Sequence, residues 1–164
     1  MQLPKRKPGK YSQTDHDPHM TQKKYNELEI ELGKLKKRRP KLAAEVSRLA
    51  ELGDFSENVE YQQAKRKLRG TLSAITRIEA ELNAAIVITS AGGDVVQLGS
   101  TVTFLLGEKE KTYTILGSSE AAPQKNIISH NSPLGEALLG HSVGDVFDVK
   151  IAGKLVSCTI ISIQ

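Results

Sequence analysis

Tyr25, Leu28, Leu32, Leu35, Arg39, Leu42, Val46 and Leu49 follow one another at alternating intervals of 3 and 4 residues, and Tyr61, Ala64, Leu68, Thr71, Ile75, Ile78, Leu82 and Ala85 do the same. That alternation is the a/d seam of a coiled coil, with one basic interruption at Arg39. The seams are equally long and are joined by Gly-Asp-Phe-Ser-Glu-Asn, residues 53–58. So short a connection forces neighbouring helices to run antiparallel. The spacing therefore predicts a helical hairpin over 20–92, with 53–58 at its far tip. Arms of about 30 residues extend roughly 45 Å at 1.5 Å per residue. Pro40 removes a backbone donor inside the first arm and predicts a local bend. Gly70 weakens the second arm by about 1 kcal/mol relative to Ala.

After Gly92-Gly93 the period changes to two. Residues 100–106 and 111–116 flank a Gly107 turn, and 145–151 and 155–163 flank a second turn at Gly153; both read as β-hairpins. Between them Ser132-Pro133 opens a short helix, with Ser132 as N-cap and Pro133 at the first helical position. Leu134, Leu138 and Leu139 would pack that helix on the sheet. The fold class expected is α+β, a coiled-coil hairpin followed by a small α+β domain over 93–164. Residues 1–19, rich in Pro, Lys and polar side chains, read as a flexible arm. His16 and His19 lie in that arm without a partner cluster in sequence, and a structural metal site needs about four ligands. They are read as solvated side chains.

Aromatic residues are scarce and Trp is absent, which argues for a split architecture over one large core. Cys158 is the only cysteine, so no internal disulfide can form and nothing suggests an oxidising compartment. No apolar run approaches membrane-spanning length, so a cytoplasmic protein without a membrane partner is expected. Residues 1–20 carry four basic and two acidic side chains, 21–92 carry fourteen and ten, and 93–164 carry five and seven. The excess positive charge in the first two parts leans toward a nucleic-acid or acidic-protein partner for the N-terminal part of the chain.

Two readings of the tip stand side by side. Asp54 can cap the second arm, with Glu57 completing a capping-box-like pair that suits the positive end of the helix. Alternatively, a rod that carries two carboxylates and Phe55 far from the sheet domain can deliver them into another macromolecule's cavity. Hard oxygen ligands of this kind suit Mg²⁺, which takes one or two protein carboxylates and keeps several waters. The basic residues also admit two readings. Arg38 and Lys41 on the first arm, and Lys65 and Arg69 on the second, are a solvated coiled-coil face or a track for a nucleic-acid backbone.

The stretch ELGDFSENVEY resembles the tip signature of the bacterial transcript cleavage factors of the GreA/GreB family, close to GD-x-[SKR]-EN-x-EY. MTQKKYNELEIELGKLKKRRP, YTILGSSEA and NIISHNSPLGEALLG are similar to the GreA branch in particular, and the likeness covers about residues 20–164. It implies a C-terminal domain of FKBP-like fold that docks on bacterial RNA polymerase, and a hairpin that enters the secondary channel. Asp54 and Glu57 would then help hold the second Mg²⁺ of the polymerase active site and orient water. The polymerase would hydrolyse its own backtracked transcript, so the chain would be an accessory factor and not itself an enzyme. Phe55, Ser56 and Asn58 would support the tip, and Lys65, Arg69, Lys41 and Arg38 would follow the extruded RNA 3′ segment. No stably bound cofactor or preformed metal is expected in the isolated protein, which would be a monomer. Val59 departs from the family's usual Ala or Ser, and the N-terminal arm extends beyond the usual start.

Three rivals remain from the sequence. A Gre-like inhibitor would block the same channel without cleavage, although it would not need the acidic pair. A peptidyl-prolyl isomerase would need an aromatic-lined pocket, whereas 93–164 offers only Phe104, Tyr113 and Phe147. A simple coiled-coil adaptor would use Asp54 and Glu57 only as caps.

Overall fold

The computed structural model describes residues 17–51, 59–89, 93–151 and 153–164. Strand β1 (His19–Thr21) leads directly into α1 (Gln22–Glu51), and α2 (Val59–Ala84) returns to β2 (Ile86–Ile88). The helices form the antiparallel hairpin. Leu28, Leu42 and Leu49 of the first seam are buried, as are Ala64, Thr71, Ile75 and Ile78 of the second. The other seam positions are half-buried, except Arg39, which is exposed. Thr71 is tolerated in the seam because its hydroxyl donates to the Lys67 carbonyl one turn back, 3.0 Å. Helix α1 runs without interruption through Pro40, and Pro40 is exposed.

The hairpin's open end is closed by a feature with no clear sequence signal. Strands β1 and β2 pair in parallel, His19 with Ile86, Met20 with Val87 and Thr21 with Ile88. Met20 is buried at this base with Leu28 and Ile78, and Tyr25, Leu32, Leu35, Leu82 and Ala85 pack around them. Residues 17–19, inside the segment expected to be a flexible arm, thus have a defined place in the fold. Residues 1–16 lie outside the described residues.

The remaining strands form one five-stranded sheet in the order β5-β4-β3-β7-β6. They are β3 (Thr101–Leu106), β4 (Lys109–Leu116), β5 (Ile127–Ser129), β6 (Val146–Ile151) and β7 (Lys154–Ile163). The first hairpin turn is tighter than the sequence suggests. Leu106 pairs with Lys109, which leaves a two-residue turn in which Gly107 takes φ +62. Hydroxyl pairs Thr101–Thr114 at 3.0 Å and Thr103–Thr112 at 2.9 Å run across β3 and β4. Helix α3 (Pro133–Leu138) begins as its sequence requires, with the Ser132 hydroxyl accepting from the Gly135 amide at 3.0 Å. Leu138 is fully buried in a core with Val96, Val102, Phe104, Ile115, Val149, Cys158 and Ile160, and Leu134 and Leu139 pack against it.

Candidate functional site

The tip residues Asp54, Phe55, Ser56, Glu57 and Asn58 lie outside the described residues, and neither reading of the acidic pair is decided by the fold. Its flanks are described. Helix α1 ends at Glu51 and α2 begins at Val59, so the tip is the connection at the end opposite the β1–β2 closure. The 26 residues of α2 place about 39 Å between that connection and the base.

The basic candidates divide into two sets. Lys65 and Arg69, one turn apart on α2, line a shallow polar recess with Gln62 and Arg66. The Lys65 ammonium stands 5.6 Å from the centre of the Tyr61 ring, a cation–π contact that positions it. A second groove, beside Pro40, groups Lys36, Arg39, Leu72, Ile75, Thr76 and Glu79. A 2.7 Å ion pair from Lys36 to Glu79 crosses between the helices there. Lys65 and Arg69 are each one heptad before Leu72 and Thr76, so they continue that edge of the rod toward the tip. Arg38 and Lys41 are exposed on α1 but belong to neither group. Their heptad positions flank the other side of the seam, so Arg38 and Lys41 do not share an edge with Lys65 and Arg69.

At the base, two carboxylates that sequence reasoning missed tie the hairpin to the sheet domain. Glu120, in a 3-10 turn over Ser118–Glu120, accepts from the Thr21 amide at 2.7 Å and from the Thr21 hydroxyl at 2.6 Å. The Thr21 hydroxyl in turn accepts from the Lys24 amide at 3.2 Å and caps α1. Glu120 therefore also places negative charge at the positive end of that helix. Asp17 accepts from the Ser118 amide at 2.6 Å and from the His19 amide at 3.1 Å. Burial would raise the Asp17 carboxyl, but hydrogen bonds from the Ser118 amide and from the ring and amide of His19 hold it well below the usual carboxylate range. Gly117 permits the approach, because a Cβ there would fall 1.8 Å from the His19 carbonyl oxygen.

The aromatics of the sheet domain serve packing. Phe104 is fully buried with Tyr113 stacked on it, ring centres 5.9 Å apart, and Phe147 stacks on His141 at 3.8 Å. None of the three lines the recesses described above.

Comparison with known proteins agrees with this arrangement segment by segment. Residues 19–87 match the family model "Transcription elongation factor, N-terminal", and residues 90–164 match "Transcription elongation factor, GreA/GreB, C-term". The chain belongs to the GreA/GreB family of transcription elongation factors. Transcription elongation factor GreA of Macrococcus caseolyticus is 42% identical over 136 residues, covering 80% of this chain and 86% of that protein. Transcription elongation factor GreA of Bacillus anthracis is 39% identical over 150 residues, covering 88% and 95%. Among solved structures, GreA factor homolog 1 of Thermus thermophilus is 25% identical, with a TM-score of 0.39 over 85% of this chain and 94% of that one. The family assignment rests on the sequence matches. No helix among the described residues is long and apolar enough to cross a membrane.

Proposed function

We propose that this family member binds RNA polymerase, inserts its hairpin into the secondary channel and stimulates cleavage of backtracked nascent RNA. The supporting observation is that the acidic pair Asp54 and Glu57 stands in the connection at the end of a rod whose other end is clamped to the sheet domain. Two-metal hydrolysis uses one ion to activate water and another to stabilise the leaving oxygen. A second Mg²⁺ held loosely by the polymerase can be completed by carboxylates brought from outside, since Mg²⁺ takes few protein ligands and keeps its waters. The bond that breaks belongs to the polymerase's own reaction, and this chain supplies ligands and position. Lys65 and Arg69, on the edge that runs toward the tip, hold the phosphates of the extruded RNA 3′ segment.

The test uses backtracked elongation complexes whose RNA is labelled at the 3′ end. Cleavage is followed over a Mg²⁺ titration with the natural protein and with Asp54→Asn/Glu57→Gln, and binding to polymerase is measured in the same samples. The proposal expects the natural protein to release short labelled RNA at lower Mg²⁺ than polymerase alone needs. The double variant should bind equally and release none. Binding by both proteins without release would instead identify a channel-blocking hairpin or an adaptor.

A further inference from the structure

Where the hairpin meets the sheet domain, Asp17, His19 and His130 converge from three segments: the approach to β1, β1 itself and the turn after β5. One ligand atom from each, a carboxylate oxygen or a ring nitrogen, lies within 4.8 Å of the others. The His19 Nδ1 is 2.9 Å from Asp17 Oδ1, and the His130 Nδ1 is 3.4 Å from Asp17 Oδ2. The imidazoles stand edge to face, ring centres 5.3 Å apart. The Asp17 side chain is only 5% exposed, and those of His130 and His19 are 18% and 33% exposed. The cluster is therefore walled on the protein side and reached from solvent past His19.

One atom in it lacks a hydrogen bond. The His130 Nδ1 is buried and makes none, even though a carboxylate lies close by. A buried, unmatched ring nitrogen carries an uncompensated desolvation cost. A cation shared with Asp17 and His19 removes it. Around a tetrahedral ion with bonds of about 2.0–2.1 Å, neighbouring ligand atoms stand about 3.3 Å apart. The two Asp17 contacts, made by different carboxylate oxygens, are 2.9 Å and 3.4 Å, and the three ligand atoms lie within 4.8 Å of one another, so closing on an ion needs side-chain shifts of about an ångström.

We propose that Asp17, His19 and His130 form a binding site for a divalent transition ion of the Zn²⁺ class, which staples the strand entering the hairpin to the sheet domain. Two imidazoles and one carboxylate favour Zn²⁺ and its neighbours over Mg²⁺ or Ca²⁺, which prefer oxygen ligands. Water from the open side completes the fourth position. The amides of Ser118 and His19 already orient the carboxylate from behind, as outer partners of a metal ligand do. The site is separate from the tip acids and lies near the base of the rod.

The full chain, stripped with chelator, is titrated with Zn²⁺ by calorimetry and with Co²⁺ by visible absorption, and its melting is followed against Zn²⁺ concentration. A single tight equivalent is expected, with Co²⁺ giving the intense bands of a four-coordinate site and Tm rising with free metal. His130→Gln and His19→Gln should each weaken binding by at least about 100-fold, since even outer partners of a ligand are worth 10–100-fold. His141→Gln, which alters the separate His141–Asp145 pair, should leave binding unchanged. Far-UV circular dichroism of the metal-free variants checks that each is folded. Absence of stoichiometric binding by the natural chain would overturn the proposal, as would unchanged binding in both folded variants of His19 and His130. In either case the cluster is a latch between the two regions that holds no metal.

Discussion

The hairpin and the sheet domain use the same apolar residue types to opposite ends. In the sheet domain Val102, Phe104, Ile115, Leu138 and Cys158 have no exposed surface, because a sheet and a helix enclose a core from two sides. The hairpin has only a seam. Along α1 three residues are buried over 30, and the other five seam positions stay half-open or exposed. Two helices cannot enclose each other, so the rod trades core for reach, and its best-packed cluster, around Met20, Leu28 and Ile78, sits at the base. A projecting device of this kind depends on its anchorage. The densest polar contacts between the two regions, from Asp17 and Glu120, lie where the rod leaves the sheet domain.

Mutations in the two regions should act differently. Phe104→Ala should cost about 3–5 kcal/mol, because it empties a fully enclosed site. Chemical denaturation should show the sheet domain's near-UV signal lost first. If hairpin helicity instead falls in step, the two regions form one cooperative unit. Gly117→Ala forces a Cβ against the His19 carbonyl and should cost about 1–3 kcal/mol. Hydrogen exchange at the Thr21 and Ser118 amides should then accelerate while the strand amides of β3 and β7 stay protected. Gly70 on α2 is the opposite case, since nothing lies within 4 Å of a Cβ added there. Gly70→Ala should stabilise the hairpin by about 1 kcal/mol, read as a rise in the helical melting midpoint. The smallest perturbation uses the natural chain. Cys158 is fully buried and burial pushes its thiol up to about 11, so a thiol reagent at neutral pH should react only as the sheet domain opens. Fast labelling under native conditions would show that this core is looser than its packing implies.

Local regularity decided what could be read from the sequence. The seams, the break at 53–58 and the Ser132-Pro133 helix start were legible because each is written in neighbouring residues. Strands β1 and β2 were not, since three-residue strands carry no period and their parallel pairing joins the two ends of the hairpin. Glu120 and Asp17 were missed for the same reason, because their partners Thr21 and Ser118 lie about a hundred residues away. His19 reads as solvated in the sequence because its neighbours Asp17 and His130 are assembled only by the fold, and Asp17 alone is near in sequence. The sequence did show the basic run on each arm. The Lys36–Glu79 pair shows which edges of the two helices meet, which puts Lys65 and Arg69 on the edge of Lys36 and Arg39 and leaves Arg38 and Lys41 on the other.

On the proposed function, the far end of the rod reaches the polymerase's metal centre. With the active-site Mg²⁺ replaced by Fe²⁺ in a complex with this protein, added hydrogen peroxide is reduced to hydroxyl radicals at that point, and the cut sites on this chain report what lies beside it. The account predicts cleavage confined to the tip around 52–58, unchanged in Asp54→Asn/Glu57→Gln if that variant still binds. Cuts in the sheet domain, or none on a bound chain, would contradict it.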